Sequence, residues 1–148
     1  MPGLRFVKFW LPVVLWMLVI FGASTKMGSP QYTSRFIGPI VRFFVPDISD
    51  HALAKVHYCV RKTSHFIEYA ILALLLARAL CVESSSTSHK KEILLAILLC
   101  AFYAASDELH QEFVKGREAS VTDVLLDTGG ATFGVIIYRA FNRRRKPD

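Results

Sequence analysis

Apolar residues along the chain gather in blocks that are separated by polar segments. The blocks run over Phe9–Ala23, Phe66–Val82, Ile93–Ala105 and Val121–Phe141. A helix needs about 20 mostly apolar residues to cross a bilayer, and each block reaches that length once its polar flanks are included. We therefore predict transmembrane spans at about 6–24, 64–82, 92–112 and 121–141.

The segment between the first two blocks has a different pattern. Between Phe36 and Phe44, aromatic and aliphatic residues alternate with arginines, and Pro39 and Pro46 interrupt the run. This pattern indicates an interfacial or re-entrant segment more than a strand. From Ser49, a favourable N-cap residue, the spacing of apolar residues predicts an amphipathic helix that runs into the second span.

The fold class predicted by these elements is an all-α integral membrane bundle of four transmembrane helices, a single domain over residues 1–148. The first block has an alternative interpretation as a cleavable signal peptide. The small residues Gly22, Ala23 and Ser24 follow an apolar run that basic residues precede. We favour a retained span because the later blocks also have the character of membrane helices.

Composition agrees with a membrane chain and excludes several other classes. Hydrophobic residues make up 53% and charged residues 20%, with a mean hydropathy of +0.36, which excludes a disordered chain. The net charge of +6 does not indicate nucleic acid, because the basic residues flank apolar blocks without an RNA-binding motif. Cys59, Cys81 and Cys100 form no CxxC pair, so we expect neither a disulfide scaffold nor a zinc site, and no cofactor.

Basic residues near the ends of the spans predict the orientation. The densest group follows the fourth span, and further basic residues precede the first span and the third: Arg139, Arg143, Arg144, Arg145, Lys146, Arg5, Lys8, Lys90 and Lys91. The positive-inside rule then puts both termini in the cytoplasm of a cell-membrane protein. The start of the second span, the end of the third and the start of the fourth would share the extracytoplasmic side.

Polar residues concentrate at those three span ends, each on one side of its helix. At about 100° per residue, each set falls within an arc of roughly 80° to 120°. The sets are Arg61, Lys62, His65, Glu68 and Tyr69; Asp107, Glu108 and Gln111; and Ser120, Asp123, Asp127, Gly130 and Gly134. Ionisable groups within spans are costly and usually face the bundle interior. We therefore expect one shared pocket, and the GxxxG spacing of Gly130 and Gly134 predicts close packing on a neighbouring helix.

The motifs RKTSHFIEY at 61–69 and SDELHQEFVKGREASVTDVLLDTGG at 106–130 resemble the VanZ-like family of small multi-span bacterial membrane proteins. The matching positions are Arg61, Lys62, His65, Phe66, Glu68, Tyr69, Asp107, Glu108, Gln111, Phe113, Gly116, Arg117, Ser120, Asp123, Asp127 and Gly130. Lys115 departs from the family, which often has proline there. The resemblance implies a cell-envelope protein; the family's name comes from resistance to teicoplanin, and it implies no particular reaction.

Two functions fit these residues. In the first, His65 forms an acid-base set with Asp107, Glu108 or Asp123, and the cationic Arg61, Lys62 and Arg117 bind an anionic group. Other substrate-binding candidates in this pocket are Glu68, Tyr69, Gln111, Ser120 and Asp127. The partner would be a membrane lipid or a lipid-linked envelope precursor. The oligomeric state is not predicted.

In the second, the protein is a non-catalytic membrane factor, and the same charges form a structural network between helices. A divalent metal held by the acidic residues with His65 or His110 is a weaker hypothesis, since HExxH and EF-hand spacings are absent from the sequence. Ser120 is expected to cap the fourth span, with Asp123 at the capping-box position.

Overall fold

A computed structural model describes residues 2–25, 30–86, 88–113 and 120–143. They form five helices: α1 (Pro2–Ser24), α2 (Pro30–Phe44), α3 (Asp50–Glu83), α4 (Lys90–Glu112) and α5 (Val121–Arg143). No strand occurs within these described ranges. Helices α1, α3, α4 and α5 are each long and apolar enough to cross a membrane, which confirms the predicted all-α class with four spans.

Helix α3 continues without a break from the first loop into the second span. It has 34 residues and begins after Ser49, whose hydroxyl accepts the backbone N–H of Ala52 at 3.2 Å. A helix of this length extends about 51 Å, against about 30 Å for a hydrocarbon core. The amphipathic lead-in predicted from Ser49 is therefore confirmed, and about two-fifths of α3 extends beyond the apolar layer.

Glycines bring α5 directly against α3. A Cβ atom added at Gly130 would overlap the carbonyl oxygen of Phe66, and one added at Gly134 would overlap that of Ala70. By contrast, a Cβ at Gly129 would meet only the Phe66 ring, at 3.9 Å. The predicted close packing at the GxxxG spacing is confirmed, and it fixes the register of α5 on α3.

The centre of the bundle is built from small residues together with a few large ones. The fully or nearly fully buried apolar residues are Val13, Ile20, Tyr69, Leu72, Ala73, Leu76, Ala77, Ala79, Ala96, Cys100, Ala104, Ala131 and Val135. On the outside, large apolar side chains such as Leu18, Leu98, Phe102 and Ile136 remain exposed. Such a surface suits lipid rather than water, as expected of spans.

Helix α2 carries an apolar face that the other described helices leave exposed. Phe36, Ile40, Phe43 and Phe44 are 59% to 81% exposed and lie on one side, at i, i+4, i+7 and i+8. Arg42, on the opposite side of α2, pairs with Asp50 at the start of α3, at 2.7 Å. This is the pattern of a helix that lies in the membrane interface, in agreement with the predicted interfacial segment.

Candidate functional site

Four helices bring polar side chains together at one end of the bundle. We define the polar cluster as Ser24, Lys62, His65, Tyr69, Asp107, Glu108, Gln111, Ser120, Asp123 and Asp127. It is formed by the end of α1, the first part of the α3 span, the end of α4 and the start of α5. The structure thus brings the three polar arcs together and adds a residue from α1.

Asp107 joins α4 to α1 in the most buried part of the cluster. Its Oδ2 accepts a hydrogen bond from the Ser24 hydroxyl at 2.5 Å and another from Gln111 Nε2 at 3.0 Å. Gln111 Nε2 also lies 3.4 Å from Ser24 Oγ. All three residues are at most 5% exposed. A carboxylate in this setting needs such donors, because burial removes the water that would otherwise solvate it.

Ser24 is a cluster residue that the sequence analysis did not identify. It is the one hydroxyl residue of α1, and it lies at that helix's last position, after an apolar run. A lone hydroxyl at a span end is too common to indicate a site, and together with Gly22 and Ala23 it also fits the alternative of a signal-peptide cleavage motif. The pattern of polar and apolar residues along α1 does not predict the contact between Ser24 and Asp107.

Lys62 joins α3 to α5. Its ammonium group forms a salt bridge with Asp123, and each side chain is 18% exposed. The Lys62 Nζ also lies 5.2 Å from the centre of the Tyr58 ring, and the Arg61 guanidinium lies 5.9 Å from the same ring. Arg61 and Lys62 therefore stand at the outer part of the cluster, beside one aromatic ring.

His65 forms a second link between α3 and α5, deeper in the bundle. Its Nδ1 lies 3.6 Å from Oδ2 of Asp127, a distance that allows ionic attraction but exceeds a hydrogen bond. The sequence predicts Asp107, Glu108 or Asp123 as the partner of His65; the structure pairs it with Asp127 instead. The reason is register, because Asp123 lies one turn further out on α5 and is engaged by Lys62.

Glu108 links α4 to the beginning of α5. Its Oε2 accepts the backbone N–H of Ser120 at 2.9 Å, while the Ser120 hydroxyl lies 2.6 Å from the Thr122 hydroxyl. The structure thereby corrects the expected capping box, in which Asp123 would accept the Ser120 N–H. A glutamate from another helix takes that role because Asp123 is held by Lys62 and the buried Glu108 requires a donor.

Tyr69 lies at the centre, fully buried, with its ring 6.3 Å from that of Tyr103. Asp107 of α4 and Asp127 of α5 are also almost fully buried in the cluster. Glu68 is half-buried, and its backbone carbonyl accepts a hydrogen bond from Trp16 Nε1 at 2.9 Å. The three spans therefore contribute buried polar side chains to one cluster.

Several buried polar atoms of the cluster lack a hydrogen-bond partner among the described residues. Among the described residues, the atoms without a hydrogen-bond partner include His65 Nδ1, the Tyr69 hydroxyl, Asp107 Oδ1, Glu108 Oε1 and both carboxylate oxygens of Asp127. Each such atom costs about 1–3 kcal/mol relative to a paired one. Because these unsatisfied donors and acceptors lie close together, the cluster could form hydrogen bonds to the polar groups of a ligand.

The remaining candidates from the sequence are not part of the polar cluster as the structure describes it. Arg117 and the turn around Gly116 lie outside the described residues, as does the basic tail from Arg144 onward. Within the described ranges, no group of three or more His, Cys, Asp or Glu residues is arranged to hold a metal ion. Cys81 and Cys100 are buried in the apolar part of the bundle, whereas Cys59 is exposed.

A comparison with protein-family models supports the family resemblance that the sequence motifs indicate. No match was found among curated proteins or among solved structures. The sequence model of the VanZ/LLP1 family matches residues 9–142, which include most of each of the four spans and every residue of the polar cluster. The chain is a membrane protein that belongs to the VanZ/LLP1 family.

Proposed function

We propose that the polar cluster binds or processes a lipid-linked or polar component of the cell envelope, on the extracytoplasmic side of the cell membrane. The observation that carries this proposal is the convergence of buried atoms from His65, Tyr69, Asp107, Glu108 and Asp127 for which the described part of the chain offers no hydrogen-bond partner. Polar groups in a membrane bundle are costly and commonly mark a substrate or ion path. A substrate with a polar head and an apolar tail fits a cluster near the end of four lipid-facing helices.

Proton transfer is the chemistry that the deep part of the cluster supports. A histidine beside a carboxylate is the usual arrangement of a general acid or base, because the carboxylate orients the ring and stabilises its charged form. His65 with Asp127 has this arrangement, at 3.6 Å. The buried Asp107 and Glu108 are further candidates for carrying a proton in the same cluster, while Asp123 forms the salt bridge with Lys62.

In this proposal, the outer part of the cluster binds the anionic group of the substrate. Arg61 and Lys62 meet Tyr58 there, and Arg117 follows α4 in the chain before α5 begins. Arginine binds phosphate or carboxylate groups through two parallel hydrogen bonds, and lysine contributes a point charge. A headgroup phosphate bound at Arg61 and Lys62 would lie further out than His65, with its acyl or isoprenoid tail between the spans, and Arg117 is a further binding candidate by its place in the sequence.

Specific contacts also favour a second function, that of a non-catalytic membrane factor or scaffold. The Asp107 contacts with Ser24 and Gln111 tie α1 to α4, and the Lys62–Asp123 bridge ties α3 to α5. Such contacts would hold the helices together in a protein that performs no reaction. The two functions differ in whether the polar cluster interacts with a ligand.

Native mass spectrometry of the purified chain with added polyprenyl phosphate tests the proposal. Arg117→Lys removes the planar fork and keeps the charge, so binding should fall well below that of Arg139→Lys, the matched control at the other end of α5. His65→Gln and Asp127→Asn should keep the bound probe but abolish any mass change in it, whereas His51→Gln, at an exposed position, should behave as wild type. Equal binding by the two arginine variants favours the structural network.

A further inference from the structure

A crevice opens at the end of the bundle opposite the polar cluster. It lies between the beginning of α1 and the end of α3, has a volume of about 550 Å³, and is lined by Gly3, Arg5, Phe6, Phe9, Val82 and Glu83. We call it the headgroup crevice. None of these residues belongs to the polar cluster, so binding in the crevice is independent of the function proposed for that cluster.

The two walls of the crevice are tied together at its rim. Trp10 of α1 stacks on Phe6 with 5.8 Å between ring centres, and its Nε1 donates a hydrogen bond to Glu83 Oε1 of α3 at 2.7 Å. Glu83 is an exposed residue. Trp10 engages one of its two carboxylate oxygens, at the mouth of the crevice.

Two arginine side chains lie at or near the walls of the headgroup crevice. Arg5 lines the crevice directly, and the half-buried guanidinium of Arg78 lies 5.0 Å from the centre of the Phe9 ring. Arg78 precedes Val82 by one helical turn, so both lie on the side of α3 that meets α1. Neither arginine forms an ion pair within the part of the chain that the structure describes. An arginine within a span is costly unless an anionic group meets it.

We propose that the headgroup crevice binds phosphatidylethanolamine. The crevice offers both signs of charge, and this headgroup carries both: its phosphate would meet Arg5 and Arg78, and its ammonium group would donate to Glu83. The rings of Phe6 and Phe9, with Val82, supply an apolar wall for an acyl chain. A headgroup with negative charge only leaves Glu83 without a cationic partner, and the methylated ammonium of phosphatidylcholine has no N–H to donate to it.

Competition among three lipids tests the role of Glu83. The full chain is incubated with equal amounts of phosphatidylethanolamine, phosphatidylglycerol and phosphatidylcholine of identical acyl chains, and bound lipid is counted by native mass spectrometry. Wild type should be enriched in phosphatidylethanolamine. Glu83→Gln should reduce that enrichment about two-fold, the scale of one ion pair at a wet surface. The amide oxygen can still accept from Trp10, so the walls should stay tied together.

Matched controls make the result decisive. Glu112→Gln removes an exposed glutamate at the other end of the bundle and should leave the lipid preference unchanged. Arg5→Gln should weaken binding of both phosphatidylethanolamine and phosphatidylglycerol, because both carry a phosphate, whereas Arg139→Gln should not. Equal binding of the lipids by wild type, a preference for phosphatidylglycerol, or an unchanged preference in Glu83→Gln overturns the proposal.

Discussion

Asp107 of α4 accepts a hydrogen bond from the hydroxyl of Ser24, the last residue of α1, at 2.5 Å. The two residues are 83 positions apart in the chain, and both are almost fully buried. Through this contact the first helix becomes part of the polar cluster. The contact fixes the depth and rotation of α1 relative to α4, the helix that carries Asp107, Glu108 and Gln111.

Replacing Ser24 with alanine should destabilise the protein. The change removes one of the two donors to Asp107 Oδ2 found among the described residues and leaves Gln111 as the other, at a cost of about 1–2 kcal/mol. Thermal unfolding in detergent measures the loss. Ser64→Ala, at an exposed position of α3, is the control and should unfold close to wild type. Equal midpoints for the two variants would contradict a stabilising role for the contact.

Hydropathy and helical periodicity predict the spans and the faces of the helices, because both depend on residues close in sequence. They correctly place Gly130 and Gly134 on a packed face and Ser49 at the start of α3. They do not specify how far one helix slides along another. That offset decides that His65 meets Asp127, and that Glu108 rather than Asp123 accepts the Ser120 N–H. Ser24 escaped prediction for the same reason.

The contact between α3 and α5 should be sensitive to a single methyl group. Gly130→Ala places a Cβ against the Phe66 carbonyl oxygen, so the helices must separate, at a cost of about 1–3 kcal/mol. Gly129→Ala, one residue earlier, places its Cβ at 3.9 Å from the Phe66 ring and should be neutral or slightly stabilising. Unfolding midpoints in detergent compare the pair. A tolerated Gly130→Ala would show that α5 does not pack this closely.

The Lys62–Asp123 bridge should contribute more than a surface ion pair. Both side chains are 18% exposed, so water screens them incompletely, and a double-mutant cycle with Lys62→Gln and Asp123→Asn should give a coupling of about 1 kcal/mol. The control cycle uses Arg42→Gln and Asp50→Asn, whose side chains are 52% and 92% exposed. That pair should show no measurable coupling. Similar values for the two cycles would contradict a buried role for Lys62.

The exposed thiol of Cys59 provides a test of orientation without disturbing the polar cluster. Cys59 lies on the part of α3 that precedes the polar cluster, and the orientation predicted from the basic residues puts it outside the cell membrane. A membrane-impermeant maleimide should therefore label wild type in intact spheroplasts. Cys59→Ser should abolish the labelling, because Cys81 and Cys100 are buried. A cysteine introduced at position 148 of that variant should react only after permeabilisation. Labelling at 148 in intact spheroplasts, with Cys59 protected, would reverse the orientation and move the polar cluster to the cytoplasmic side, where an extracytoplasmic substrate could not reach it.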